Sequence, residues 1–246
     1  MKKRLIIFLL MFTTAFAFNT INLEVCVQAD SEIDETREYL INLENKDVSE
    51  IESKIKKKNN ESDIEELKKG KIDFKKYYSD TAFLGDSITE FLSEAEILNK
   101  SNVFSKKGQT TQMMLDSIDK VSAMKPQNIV MLFGMNDVIA FSSADDFKES
   151  YRKLIDETKE KLPKANIYVQ SPLPVMEKAV KTNKRLTNDN IKEFRSVVKE
   201  VCDEEDVTFV DITNLVQDQS YFEQDGIHFK YDFYNIWLKY LAQIIK

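Results

Sequence analysis

The segment Asn128-Ile-Val-Met-Leu-Phe133 is apolar after its first residue and is bracketed by Lys125-Pro126 and Gly134. A run so short and so continuous leaves no polar face for water. It reads as a strand covered on both sides, the situation of a central strand in a parallel sheet flanked by helices. The rest of the chain after Tyr78 fits that frame. Further strands are predicted at Thr81–Leu84, stopped by Gly85, and at Ser101–Ser105, Asn166–Gln170 and Val207–Val210. Helical patterns lie between them. Thr111–Met124 puts Met114, Leu115, Ile118 and Val121 on one face. Ala144–Leu162 stops at Pro163. Thr187–Glu204 has Thr187 or Asn188 as its N-cap, and Tyr231–Ile245 closes the chain. Strand–helix alternation around buried strands implies an α/β fold: three α/β/α layers on a mainly parallel five-stranded sheet. Functional groups are then expected beyond the carboxyl ends of the strands.

The first 77 residues have a different texture. Met1-Lys2-Lys3-Arg4 is a short basic start, and Leu5–Phe18 is apolar apart from Thr13 and Thr14. That run is shorter than the roughly 20 residues a bilayer span requires, so it reads as an export signal. Small residues allow cleavage after Ala17 or Ala29. The later site is preferred, making residues 1–29 a signal peptide, with a retained anchor as the alternative. Residues 30–77 are dense in charge, lack proline, and have glycine only at Gly70. Ile41, Val48 and Ile55 recur every seven residues, which suggests a charged helical spacer with a narrow apolar stripe. The globular domain is therefore placed at 78–246. Export would put the protein outside the cell or at its surface, with the N-terminus near membrane or wall.

Composition restricts the chemistry. The chain carries 35 basic and 42 acidic side chains, a net charge of −7, which argues against a nucleic-acid partner. Two cysteines rule out a disulfide framework, and Cys202 sits in the helical pattern of Val197, Val198 and Val201 as a small apolar residue. The chain has a single histidine, His228. That excludes metal sites built on two imidazoles, and any imidazole chemistry must occur at residue 228.

Four short segments end predicted strands or precede the last helix. Gly85-Asp86-Ser87-Ile88 can present the Ser87 hydroxyl at a turn with backbone N–H groups nearby. Gly108 follows Lys106-Lys107. Gly134-Met135-Asn136-Asp137 offers a side-chain amide that can donate to a developing oxyanion. Asp225-Gly226-Ile227-His228 spaces a carboxylate to hold one imidazole nitrogen and leave the other free. Each segment alone also reads as ordinary turn chemistry.

In their order and spacing, Ser87, Gly108, Asn136 and His228 make the sequence resemble the SGNH hydrolases, the GDSL-type esterases, of the secreted bacterial kind. The match runs from about 78 to 246, with Ile88 where the family name has leucine. The resemblance implies a flavodoxin-like fold and a serine esterase. Its triad would be Ser87, His228 and Asp225, with an oxyanion hole from Ser87, Gly108 and Asn136 and with no metal or organic cofactor. The implied substrate is an acyl or acetyl ester, on an extracellular glycan or a lipid. Leu173, Val175 and Met176, after the fourth strand, are candidates for a wall of the site. Two alternatives stay open: an acyltransferase with the same triad, and a non-catalytic surface binding module.

Overall fold

The computed structural model describes residues 72–245. The signal peptide expected at 1–29 and the spacer expected from residue 30 lie, up to residue 71, outside the described residues. The described body falls within one compact unit, Asp63–Lys246.

Chain order explains the architecture. A short helix α1 (Phe74–Tyr77), capped by the Asp73 carboxylate, leads into β1 (Thr81–Gly85). Helix α2 (Ser87–Glu94) follows at once, and β2 (Val103–Ser105) comes next. The path returns through α3 (Thr111–Met114) and α4 (Ile118–Met124) to β3 (Asn128–Leu132). Then come α5 (Asp137–Ala140), α6 (Ala144–Lys161), β4 (Asn166–Gln170), α7 (Asn188–Glu204), β5 (Thr208–Val210) and α8 (Tyr231–Leu241). The strands lie in the order β2-β1-β3-β4-β5, and every pair is parallel.

Right-handed crossovers fix the layers. From β1 the chain steps one way to β2, then turns and runs the other way through β3, β4 and β5. Helix α2 is therefore on one face, and α3, α4, α6 and α7 are on the other. Ring packing marks both layers: Phe91 of α2 stacks on Tyr234 of α8 at 4.4 Å, and Phe147 of α6 stacks on Phe194 of α7 at 5.0 Å. Strands β1 and β3 are buried along their whole length, as the apolar run predicts. The change of direction falls between β1 and β3. Loops leaving these two strands head to opposite faces and leave a crevice at their carboxyl ends.

Several boundaries differ from the sequence reading. The second strand begins at Val103, because Lys100–Asn102 form a 3-10 turn. Its buried Asn102 amide donates to the carbonyls of Tyr78, Ser79 and Thr81. That duty holds the turn against the start of β1. The predicted helix Thr111–Met124 is interrupted by a 3-10 turn at Leu115–Ser117. No proline or glycine marks this break. Its first turn is instead tied to the β3 loop through Thr111, whose N–H and hydroxyl both donate to Asp137. The last helix stops at Leu241, short of Ile245. At the front, Phe74 and Tyr77, read as spacer, pack against the core, and the Tyr77 hydroxyl donates to Ala242 O at 2.9 Å.

Candidate active site

The crevice between β1 and β3 gathers the candidate residues. Asp86 ends the turn after β1 and caps α2: its Oδ1 accepts from the Ile88 N–H at 3.0 Å. Ser87 is then the first helical residue, so its own N–H has no partner within the helix. Ser87 Oγ lies 2.8 Å from His228 Nε2. His228 Nδ1 lies 2.5 Å from Asp225 Oδ2, and Asp225 Oδ1 accepts from the backbone N–H groups of Ile227 and His228. Burial raises the Asp225 pKa, but these hydrogen bonds outweigh it and hold the carboxyl below its usual range. The carboxylate stays ionised and keeps the Nδ1 hydrogen, which leaves Nε2 free to accept.

The loop that carries the histidine is braced. Gly226 has φ +74, a left-handed turn that glycine takes without strain, and a side chain there would run into Met176 Cβ at 2.8 Å. Gly226 O accepts from the Met176 N–H at 2.9 Å. The loop after β4 thus buttresses the Asp225–His228 turn. Of the three residues expected to wall the site, Met176 meets this turn at Gly226. Leu173 and Val175 are buried in the core, and the Val175 backbone is paired with the Asn188 side chain. Arg185, at the end of the same loop, donates to Val138 O and Phe141 O and joins it to α5.

On the other side, Asn136 follows β3. Its Nδ2 donates to Asp86 Oδ2 at 3.0 Å and to Gln109 O at 3.2 Å. Gly108 is exposed, with φ +78, in the tight turn that ends β2. It is joined to the site through its neighbour Gln109. All five candidate residues are thus drawn to one end of the sheet: Ser87, His228 and Asp225 in one hydrogen-bonded chain, and Asn136 and Gly108 alongside.

Two buried carboxylates give this arrangement its frame, and the sequence reading assigned neither a role. Asp86 is 2% exposed. Burial raises its pKa, the Ile88 N–H lowers it, the Asp137 charge raises it and His228 lowers it, for a result of about 7. Asp137 is fully buried and accepts from Thr111 N, Thr111 Oγ1 and Gly134 N. Burial again dominates over those bonds and sets its pKa at about 6. Both residues stand inside segments already singled out, but nothing in their type or spacing separates a hydrogen-bond hub from a turn aspartate. Cys202 is buried in α7 with its thiol pushed up to about 12 by burial, in line with its reading as an inert apolar residue.

Chemically, a hydroxyl against an imidazole that is itself held by a carboxylate suits acyl transfer. Comparison with known proteins points the same way. The crystal structure of the lipase/acylhydrolase from Enterococcus faecalis is similar, at 20% identity over 67% of this chain and 94% of that one, with a TM-score of 0.54. A GDSL-like lipase from Bacteroides thetaiotaomicron matches at 18% identity over 67% and 86%, TM-score 0.54. A carbohydrate esterase of family 3 from Talaromyces cellulolyticus matches at 15% identity over 68% and 99%, TM-score 0.51. No curated protein matches the chain in sequence. The family model described as GDSL-like lipase/acylhydrolase matches residues 78–236. These residues span the whole sheet and most of α8, so the chain belongs to the GDSL-like lipase/acylhydrolase family and is a carboxylic ester hydrolase.

Proposed function

We propose that the protein is a serine esterase in which Ser87, His228 and Asp225 form the catalytic triad. Its oxyanion hole consists of the N–H groups of Ser87 and Gly108 and the Asn136 side-chain amide. The observation that carries this reading is the unbroken chain Ser87 Oγ–His228 Nε2–His228 Nδ1–Asp225 Oδ2, at 2.8 and 2.5 Å. Nε2 takes the Ser87 proton as Oγ attacks the ester carbonyl carbon. The carbonyl oxygen becomes an oxyanion held by the three donors. His228 passes the proton to the departing alcohol, and the acyl group stays on Ser87. Water, deprotonated by His228, then attacks the acyl-enzyme, and the proton returns to Ser87 as the carboxylic acid leaves. Asp225 stays ionised throughout and stabilises the imidazolium.

The substrate proposed with this reading is an acyl or acetyl ester on an extracellular glycan or a lipid. The basic start and apolar run at Met1–Phe18 support export of the chain. Purified Ser87→Ala and His228→Ala are each expected to abolish hydrolysis of p-nitrophenyl acetate with unchanged circular dichroism. The wild type is expected to label with a fluorophosphonate at Ser87. Retained turnover in either variant, or labelling elsewhere, overturns the assignment.

A further inference from the structure

The Asn136 amide is fully engaged in the resting site. An amide NH2 has two hydrogens, and here one goes to Asp86 Oδ2 and the other to Gln109 O. An oxyanion can therefore be bound only if one of these bonds opens. The two are unequal. The contact to Asp86 is the shorter, at 3.0 against 3.2 Å, and its acceptor is a carboxylate. Above about pH 7, where the Asp86 carboxyl is ionised, this bond is charge-assisted and roughly twice as strong as one to a neutral acceptor. Breaking it would also leave a buried Asp86 oxygen without its donor. Gln109 is also buried, so the difference between the two bonds lies in distance and in the neutral carbonyl acceptor that Gln109 O offers, on the loop that carries Gly108.

We propose that Asp86 is a positioning residue that acts through Asn136: its Oδ2 retains one Nδ2 hydrogen, so that the other swings from Gln109 O to the oxyanion. The inference rests on the reading of Asn136 as an oxyanion donor. Asp86 does not touch the substrate. It holds the plane of the Asn136 amide while also capping the helix that begins with Ser87, so nucleophile and side-chain donor are registered against one buried group. When ionised, its charge behind the amide opposes an oxyanion, so its contribution is orientation. The frame around it is complete: Asp137 fixes the β2 loop to the β3 loop one residue beyond Asn136.

The test is a double-mutant cycle read as kcat per fluorophosphonate-titrated serine, with p-nitrophenyl acetate as the probe. Asp86→Asn keeps a cap for the Ile88 N–H but turns a donor toward the Asn136 donor. Asp86→Ser also caps and is too short to reach Asn136, so it carries the test if the first variant fails to fold. Both are expected to lower kcat about 10- to 100-fold, below the loss of a whole oxyanion donor, with KM changed less than about threefold. In an Asn136→Ala background, itself expected to lose about 100- to 1,000-fold, the Asp86 effect is expected to vanish to within about twofold. Unchanged or raised kcat in the Asp86 variants overturns the proposal. So does the same fall in the Asn136→Ala background, which would mark a role independent of Asn136. Wild-type turnover in Asn136→Ala, or in Ser87→Ala, would instead overturn the reading of the site itself.

Discussion

Asp86 and Asp137 carry a consequence that can be measured without substrate. Both have folded pKa values raised by burial, to about 7 and about 6, against 3.8 for the ordinary carboxyl. Between about pH 4 and 7 the folded protein therefore binds more protons at these residues than the unfolded chain does. Stability contributed there falls as pH rises, by up to about 1.4 kcal/mol per pH unit for each carboxyl. Asp225 has the opposite sign: its pKa is depressed, and its contribution is lost only as pH falls below the ordinary carboxyl range. Urea midpoints are thus expected to rise as pH is lowered from 7.5 to 5, and Asp86→Asn is expected to flatten that slope. A slope equal in wild type and variant would show that Asp86 is ionised in the folded state across this range. The contrast with Ser87 and His228 also shows what single residues disclose. A lone histidine with an aspartate three residues before it announces its chemistry through residue type. An aspartate beside a serine announces only a turn, and its role emerges when Asn136, distant in sequence, is brought to its other oxygen.

The strongest elements were legible because their burial is written in the sequence. The apolar run from Ile129 becomes a strand buried along its length, and Asn166–Gln170 is a strand with the predicted ends. A boundary moved where a tertiary hydrogen bond took up the side chain of a predicted strand residue, as at Asn102. The loop after β4 carries the same lesson. Its apolar residues suggest a wall, and Met176 also braces the histidine turn at Gly226. Gly226→Ala tests that brace. The added methyl would meet Met176 Cβ at 2.8 Å and the Lys178 stem at 2.9 Å, at a backbone φ of +74 that side chains rarely adopt. The turn must open, at a cost of about 1–3 kcal/mol. His228, two residues on, would then move off Ser87. Thermal unfolding is expected to shift down and kcat to fall at least about tenfold, the scale on which a misplaced general base costs rate. A variant that lost stability but kept full kcat would show that the histidine is held by Asp225 alone.

At the scale of the molecule, the order of strands and helices settles where a site can be. One reversal of direction in a right-handed parallel sheet opens one crevice, and the described chain places Ser87 and Asn136 on its two sides. What the sequence did not disclose is where the folded body begins. Periodicity put the boundary at Tyr78, yet Phe74, Tyr77 and Tyr78 form one aromatic group with the end of the chain. Tyr78 is 1% exposed, packs edge-on against Phe83 at 5.2 Å and donates to Leu238 O at 2.6 Å. A chain starting at Ile72 keeps this group and every candidate site residue. It is expected to unfold at the same temperature as the full chain and to hydrolyse p-nitrophenyl acetate at the same rate. A chain starting at Ser79 removes two tyrosines and a phenylalanine from the join between β1 and α8. Truncating one large buried aromatic costs about 3–5 kcal/mol, a large share of the roughly 5–15 kcal/mol that holds a domain folded. Its melting temperature is therefore expected to fall by about 10 °C or more, while kcat measured well below that melt stays near wild type. Equal melting of the two truncations would mean that the aromatic group contributes no stability. Loss of activity in the chain starting at Ile72 would mean that residues 1–71 are needed for a working site.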